Sequence, residues 1–284
     1  MPELPEVETI RASLAGRIAG RRIEVIRILD ARLTQPVPTA EVEARLRAER
    51  IDAVTRRGKY LVFTFASGVH LLVHFRMTGS FQHGRNGLPA EDPYCRAVVR
   101  LDDGSDVAYR DVRRLGTWLV LADSELDAYL GRRLGPEPLG PGFTKRRLED
   151  SLAGRRAPVK AAILDQRVAA GVGNIYADEA LWRARINPTQ PARELDGDEL
   201  ARLHAAIRRA LRAGIARQGA TLRDFRDPAG SEGRMQHEFE VYGREGEPCS
   251  RCGTLIVKMR IAGRGTWFCR SCQALEAGRR RDRR

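Results

Sequence analysis

The sequence predicts an α+β protein: an N-terminal β-sandwich flanked by helices, then a helical region that ends in a cysteine-bearing β-hairpin. Three observations predict this. Short apolar runs of strand length, separated by turn residues, recur between residues 23 and 121. A Pro/Gly-rich stretch at 135–142 (GPEPLGPG) divides them from segments with helical periodicity. Two C-x-x-C pairs stand near the end of the chain. With 284 residues, the chain is long enough to bury two cores.

The elements follow in order. Leu4, Val7, Ile10, Leu14 and Ile18 recur at spacings of three and four, which predicts an amphipathic helix over 3–18. Residues 23–29 read as a strand, and 60–65 with 69–75 as a hairpin around Ala66-Ser67-Gly68. A second hairpin pairs 97–101 with 106–110, and 117–121 is a further strand. Beyond the linker, helices are predicted at 148–152, 159–166, 175–184 and 199–215. The end of the chain returns to short β segments, at 255–261 and 266–268, with Gly263-Arg264-Gly265 at the hairpin tip. The Arg-rich stretch 279–284 reads as a charged tail.

Charge narrows the class of partner. There are 50 Lys/Arg against 37 Asp/Glu, a net +13. From Cys249 onward ten basic residues face two acidic ones, so that segment alone carries +8. A basic end suits a polyanion, because neutralising phosphates releases counterions; a merely solvated basic face is the alternative. No apolar run approaches the roughly 18 residues of a membrane span. The start has neither a basic n-region nor an apolar h-region, so the sequence predicts a cytoplasmic protein away from membranes.

Cys249-x-x-Cys252 and Cys269-x-x-Cys272 are separated by 16 residues. Each pair offers two thiolates from a tight turn, and two such knuckles close a tetrahedral S₄ site for Zn²⁺. Four protein ligands leave no open position, so the predicted zinc is structural. At the other end, Pro2 offers a secondary amine once Met1 is removed. An α-amino group titrates near roughly 8, so a useful fraction is neutral and able to attack an electrophilic carbon. Glu3 and Glu6 stand beside it, on a first helical turn where the dipole favours carboxylates in any protein. Pro2 equally suits a helix start.

Several stretches, in order, then resemble one family. Pro2-Glu3-Leu4-Pro5-Glu6-Val7-Glu8-Thr9 resembles the start of the bacterial formamidopyrimidine-DNA glycosylases. Arg56-Arg57-Gly58-Lys59-Tyr60-Leu61 is similar to their lysine hairpin, and His74-Phe75-Arg76-Met77-Thr78-Gly79 to their H-L-G-M-[ST]-G. Asp111-Val112-Arg113-Arg114-Leu115-Gly116 resembles D-P-R-R-F-G, and Leu134-Gly135-Pro136-Glu137-Pro138-Leu139 their linker. Gly171-Val172-Gly173-Asn174-Ile175-Tyr176-Ala177 resembles the helix–two-turns–helix signature. Val241-Tyr242-Gly243-Arg244-Glu245-Gly246, the four cysteines and Arg264 complete the series.

The resemblance implies a bifunctional DNA glycosylase and abasic-site lyase acting as a monomer on double-stranded DNA, with a zinc-ribbon hairpin and a helix–two-turns–helix domain. It implies a catalytic sandwich at 1–134, a linker at 135–150, the helical DNA-binding domain at 151–245, the ribbon at 246–273 and a basic tail at 274–284. Pro2 would attack C1′ of a nucleotide bearing 8-oxoguanine or a formamidopyrimidine, with Glu3 as general acid and Glu6 as a further catalytic residue. Lys59 would assist base release and elimination, and Arg264 would reach the lesion and its phosphate. Met77, Arg113 and Leu115 would fill the space left by the flipped base. Tyr94, Arg155, Lys160, Asn174 and Tyr242 would contact DNA. By local pattern alone, Lys59 is a solvated strand-start lysine and Met77 and Leu115 are core or turn residues, while Gly171-Val172-Gly173, with Asn174 as N-cap of the helix that follows, suits a phosphate site and a plain helix-connecting turn equally.

Four positions depart from the family pattern. Leu115 replaces a Phe wedge, Arg76 a Gly, Tyr94 a His, and Gly233-Arg234-Met235 stands where an aromatic pair often follows Gly. All lie where DNA is read, so the lesion spectrum is the open question. The alternatives are an endonuclease VIII-type enzyme for oxidised pyrimidines and a non-catalytic zinc-ribbon DNA-binding protein. Retention of both Pro2 and Lys59 weighs against the second.

Overall fold

The computed structural model describes residues 2–85 and 92–275, so the Arg-rich stretch 279–284 lies outside the described residues. The chain divides into two compact units: residues 1–133 with 214–236, and residues 134–213 with 237–284.

The first unit opens with α1 (Leu4–Ile18). Its predicted stripe is buried: Leu4, Val7, Ile10 and Leu14 expose nothing and Ile18 1%. Each such side chain contributes about 1.5–3 kcal/mol. Then follow β1 (Ile23–Ile28), α2 (Thr39–Leu46), β2 (Ile51–Arg57), β3 (Tyr60–Phe65), β4 (Val69–His74) and β5 (Gly79–Gly84). β6 (Cys95–Leu101), β7 (Asp106–Asp111), β8 (Thr117–Ala122) and α3 (Asp123–Gly131) complete the series. The strands form two four-stranded antiparallel sheets, ordered β1-β6-β7-β5 and β2-β3-β4-β8. Their facing sides and α1 share one core, where Phe63, Phe75, Phe81, Tyr109 and Trp118 meet mostly edge to face. The predicted strands lie within a residue or two of their places. β2, β5, α2 and α3 are additions to the sequence reading.

The second unit holds α4 (Lys145–Leu152), α5 (Val159–Leu164), α6 (Asn174–Ala184) and most of α7 (Gly197–Ala216). The Thr144 hydroxyl caps α4 by accepting from the Arg147 N–H at 3.1 Å. The hairpin of β9 (Ile256–Ile261) and β10 (Arg264–Cys269) closes the chain. Its two-residue turn is Ala262-Gly263, with φ of +47° and +74°, as a type I′ hairpin requires. Arg264 is therefore the first residue of β10, next to the turn rather than at its apex. The stretch 134–142 is bonded into this unit: Gly135 N–H donates to the Gln166 carbonyl, and Arg208 to that of Pro138. Residues 214–236, which the sequence reading put in the helical domain, cluster with the first unit, where Phe225 packs on the sandwich core.

Candidate active site and metal centre

Pro2 and Glu3 form a buried extended lead into α1. Glu6 holds that lead in place. One of its carboxylate oxygens accepts the Glu3 N–H at 2.9 Å, and the other accepts the Ala220 N–H at 2.8 Å. Gly219, at φ +79°, lies so close that a Cβ would press on the Glu6 side chain. Both Glu6 oxygens thus serve backbone donors, the arrangement of a positioning residue and not of a proton shuttle. The same stretch is pinned further: Arg234 N–H bonds the Arg217 carbonyl and Met235 N–H that of Gly219. Met235, in the Gly233-Arg234-Met235 stretch that departs from the family pattern, is fully buried.

Lys59 occupies the two-residue turn between β2 and β3, behind Gly58 at φ +59°. It is buried to 7% exposure, which corrects the picture of a solvated lysine. A charged chain ties this turn to α1. Glu8 accepts from Arg11 at 2.8 Å and from Arg56 at 3.0 Å, and Arg56 also donates to the Gly58 carbonyl at 3.0 Å. Neighbouring titratable groups are held neutral. Burial, Arg76 and Lys59 push the His74 imidazole down to about 3, and burial pushes the Tyr60 phenol up to about 12.

Met77, Tyr94, Arg113 and Leu115 are all exposed on the same unit. Large apolar side chains left in water on tight turns are what a void-filling role needs. Beside them, Arg114 donates two hydrogen bonds to buried Asp30, at 2.5 and 2.8 Å, and Arg110 lies over the Tyr94 ring.

In the second unit the sequence reading needs two corrections. Lys160 was expected to meet phosphate, yet it exposes nothing. Its Nζ pairs with Asp178 at 2.7 Å and donates to the Gly265 carbonyl and the Thr266 hydroxyl, each at 2.8 Å. Asn174, expected as the N-cap of α6, is its first helical residue; Gly173 is the cap. Asn174 Nδ2 donates to the same Gly265 carbonyl at 2.9 Å, and its Oδ1 has no hydrogen-bond partner among the described residues. Asp178 also accepts the Trp267 N–H, so α5 and α6 grip β10 directly behind exposed Arg264. The next residue, Glu179, is fully buried and accepts the N–H groups of Glu240, Val241 and Tyr242 at 3.0 to 3.2 Å. Two consecutive carboxylates thus hold strand β10 and the segment 240–242 that leads into the cysteine-bearing hairpin, a role with no periodic signal in the sequence. Arg155 pairs with Asp165, and Tyr242 packs its ring 4.6 Å from that of Trp267.

The four cysteine sulfurs lie within 4.8 Å of one another. Cys249 and Cys272 are 4.0 Å apart, Cys252 and Cys269 3.4 Å, too far for disulfides. Zn–S bonds of about 2.3 Å in a tetrahedron place sulfurs about 3.8 Å apart, so the donor set fits one structural zinc. Trp182 Nε1 donates to Cys249 Sγ at 3.4 Å, and Cys272 N–H to Cys269 Sγ, which steadies the thiolates.

Comparison with known proteins covers nearly the whole chain. Family models described as the formamidopyrimidine-DNA glycosylase N-terminal domain, the formamidopyrimidine-DNA glycosylase H2TH domain and the zinc finger found in FPG and IleRS match residues 1–118, 134–226 and 246–275. The formamidopyrimidine-DNA glycosylase of Roseiflexus sp. (strain RS-1) is 43% identical, across 96% of this chain and 100% of its own. A Lactococcus lactis FPG mutant solved with Fapy-dG containing DNA matches at 36% identity and a TM-score of 0.91, over 96% of this chain and 100% of that one. Lactococcus lactis Fpg solved with abasic-site DNA matches at 36% identity, a TM-score of 0.90 and the same coverage.

Proposed function

The chain belongs to the formamidopyrimidine-DNA glycosylase family, and from that premise we propose that it excises oxidised purines and cleaves the strand through Pro2. The observation that carries this reading is the buried placement of Pro2, Glu3 and Lys59 in one unit, with α1 and the lysine turn tied together through Glu8 and Arg56.

The chemistry follows from these groups. With Met1 removed, the Pro2 amine is neutral in about a tenth of molecules at pH 7. Its lone pair forms an N–C1′ bond as the glycosidic bond breaks, and the departing base takes the proton that the Pro2 nitrogen gives up. Glu3 protonates the sugar ring oxygen, the ring opens, and an iminium links Pro2 to C1′. The iminium acidifies the neighbouring C–H, so the 3′ and then the 5′ phosphate leave by successive elimination. Lys59 and Arg264 supply the cations that steady base and phosphate as they depart. Neutral His74 and Tyr60 keep competing charge away from Lys59.

The base must first leave the stack, which costs a few kcal/mol, and Met77, Arg113 and Leu115 fill the gap. Asn174, Arg155 and Tyr242 hold backbone on the helical unit, and Tyr94 does so on the sandwich. Among the described residues no helix is long and apolar enough to cross a membrane, and we place the protein with the chromosomal DNA of a bacterial cytoplasm.

The test is a matched set of duplexes bearing 8-oxoguanine, an oxidised pyrimidine or an abasic site. Release of 8-oxoguanine and a one-nucleotide gap at all cleaved sites support the proposal. Preference for the pyrimidine places the chain on the other branch, and binding without cleavage refutes catalysis.

A further inference from the structure

Asp111 ends β7 opposite Gly79 and exposes 1% of its surface. Its Oδ2 accepts the N–H groups of Leu115 at 2.8 Å and Gly116 at 2.7 Å. Its Oδ1 accepts the Thr78 hydroxyl at 2.5 Å and the Arg113 N–H at 3.2 Å. The Thr78 oxygen in turn accepts the Arg113 N–H at 3.0 Å. One carboxylate therefore holds three backbone donors of the 112–116 turn and the side chain that follows Met77.

The floor beneath is rigid. The Tyr109 hydroxyl is buried and has no hydrogen-bond partner among the described residues. A Cβ on Gly79 or on Gly116 would overlap that hydroxyl, so both turns are packed down on the same phenol. Each turn also carries a non-glycine residue in the left-handed region, Arg76 at φ +52° and Arg114 at φ +54°. Such conformations persist only where the surroundings over-determine them.

We propose that Asp111 is a positioning residue that locks the Met77 turn to the Arg113–Leu115 turn, so that the side chains entering the duplex move as one unit. The proposal rests on the void-filling reading given above. Three N–H groups converging on a carboxylate form a nest that an uncharged group cannot fill equally. Asn in its place must turn an NH₂ toward at least one backbone donor. Serine at 78 keeps the bridging hydroxyl, and valine removes it. Neither residue touches the reacting atoms, so strand cleavage at a preformed abasic site, where no base is extruded, does not need the lock.

The experiment measures single-turnover rates on an 8-oxoguanine duplex and an abasic duplex, with thermal unfolding of each variant. Asp111→Asn and Thr78→Val should each slow 8-oxoguanine excision roughly tenfold or more, the worth of one charge-assisted bond, and change abasic cleavage by under about threefold. Thr78→Ser should restore the rate. In a Leu115→Ala background, Thr78→Val should add little. Equal slowing on both substrates, no slowing on either, or fully additive losses with Leu115→Ala would overturn the proposal. Should Asp111→Asn not fold, the Thr78 pair decides alone. A wild type inactive on both duplexes would defeat the functional reading instead.

Discussion

Arg76 sits at φ +52° where the related motif has Gly, and its backbone bears the cost. A left-handed conformation disfavours an L-residue by about 1–2 kcal/mol, a penalty glycine escapes. Arg114 carries a similar φ but holds two hydrogen bonds to Asp30, which offset it. Arg76→Gly is therefore predicted to raise unfolding stability by about 1 kcal/mol in urea titrations. Its neighbour His74 sets an acid limit. Burial, Arg76 and Lys59 hold the imidazole at about 3 in the folded protein, against an ordinary 6.5 in the unfolded chain. The unfolded state then takes up the extra proton, so this contribution is full above pH 6.5 and is lost as pH falls toward about 3. His74→Gln should flatten the loss of stability across that window, measured by denaturation at stepped pH.

Elements with an unbroken apolar pattern were legible in sequence, and those whose partners lie far along the chain were not. The stripe of α1 fell in place because its apolar side chains recur at the helical period, and the β3–β4 hairpin because two short, nearly continuous apolar runs flank one turn. β2 was hidden by Asp52, Thr55, Arg56 and Arg57, whose polar side chains read as surface although Arg56 organises the lysine turn. β5 contains two glycines and a histidine, and α3 buries only Leu130. Lys160 looked like a phosphate ligand because nothing local announces Asp178, 18 residues on, as its buried partner. Removing that partner strands a cation: Asp178→Asn should cost about 3–5 kcal/mol, weaken DNA binding through a loosened Arg264, and retain zinc. Thermal unfolding, zinc content and binding titrations read the three separately. For the wedge turn, Leu115 offers apolar area without the stacking of an aromatic ring, a difference of about 1–3 kcal/mol per base. Leu115→Phe should speed 8-oxoguanine excision, and Leu115→Ala should slow it far more than abasic cleavage; equal effects on both would assign Leu115 to packing.

At the scale of the whole molecule, charge, cysteine spacing and the N-terminal run pointed to one chemistry. The structure supplies contacts those patterns lacked: Glu6 anchors the Pro2-Glu3 lead, Glu8 and Arg56 set the lysine turn, and Asp178 with Glu179 holds β10 and residues 240–242. Most of these residues are acidic, and their partners are backbone N–H groups and basic side chains. In the proposed mechanism the Pro2 amine becomes covalently joined to DNA. Borohydride reduction during turnover on an 8-oxoguanine duplex, followed by mass spectrometry of the digested adduct, tests it most directly. A single cross-link on the N-terminal Pro2 is expected, absent when Met1 is retained. An adduct mapped to Lys59 or any other internal lysine would contradict it.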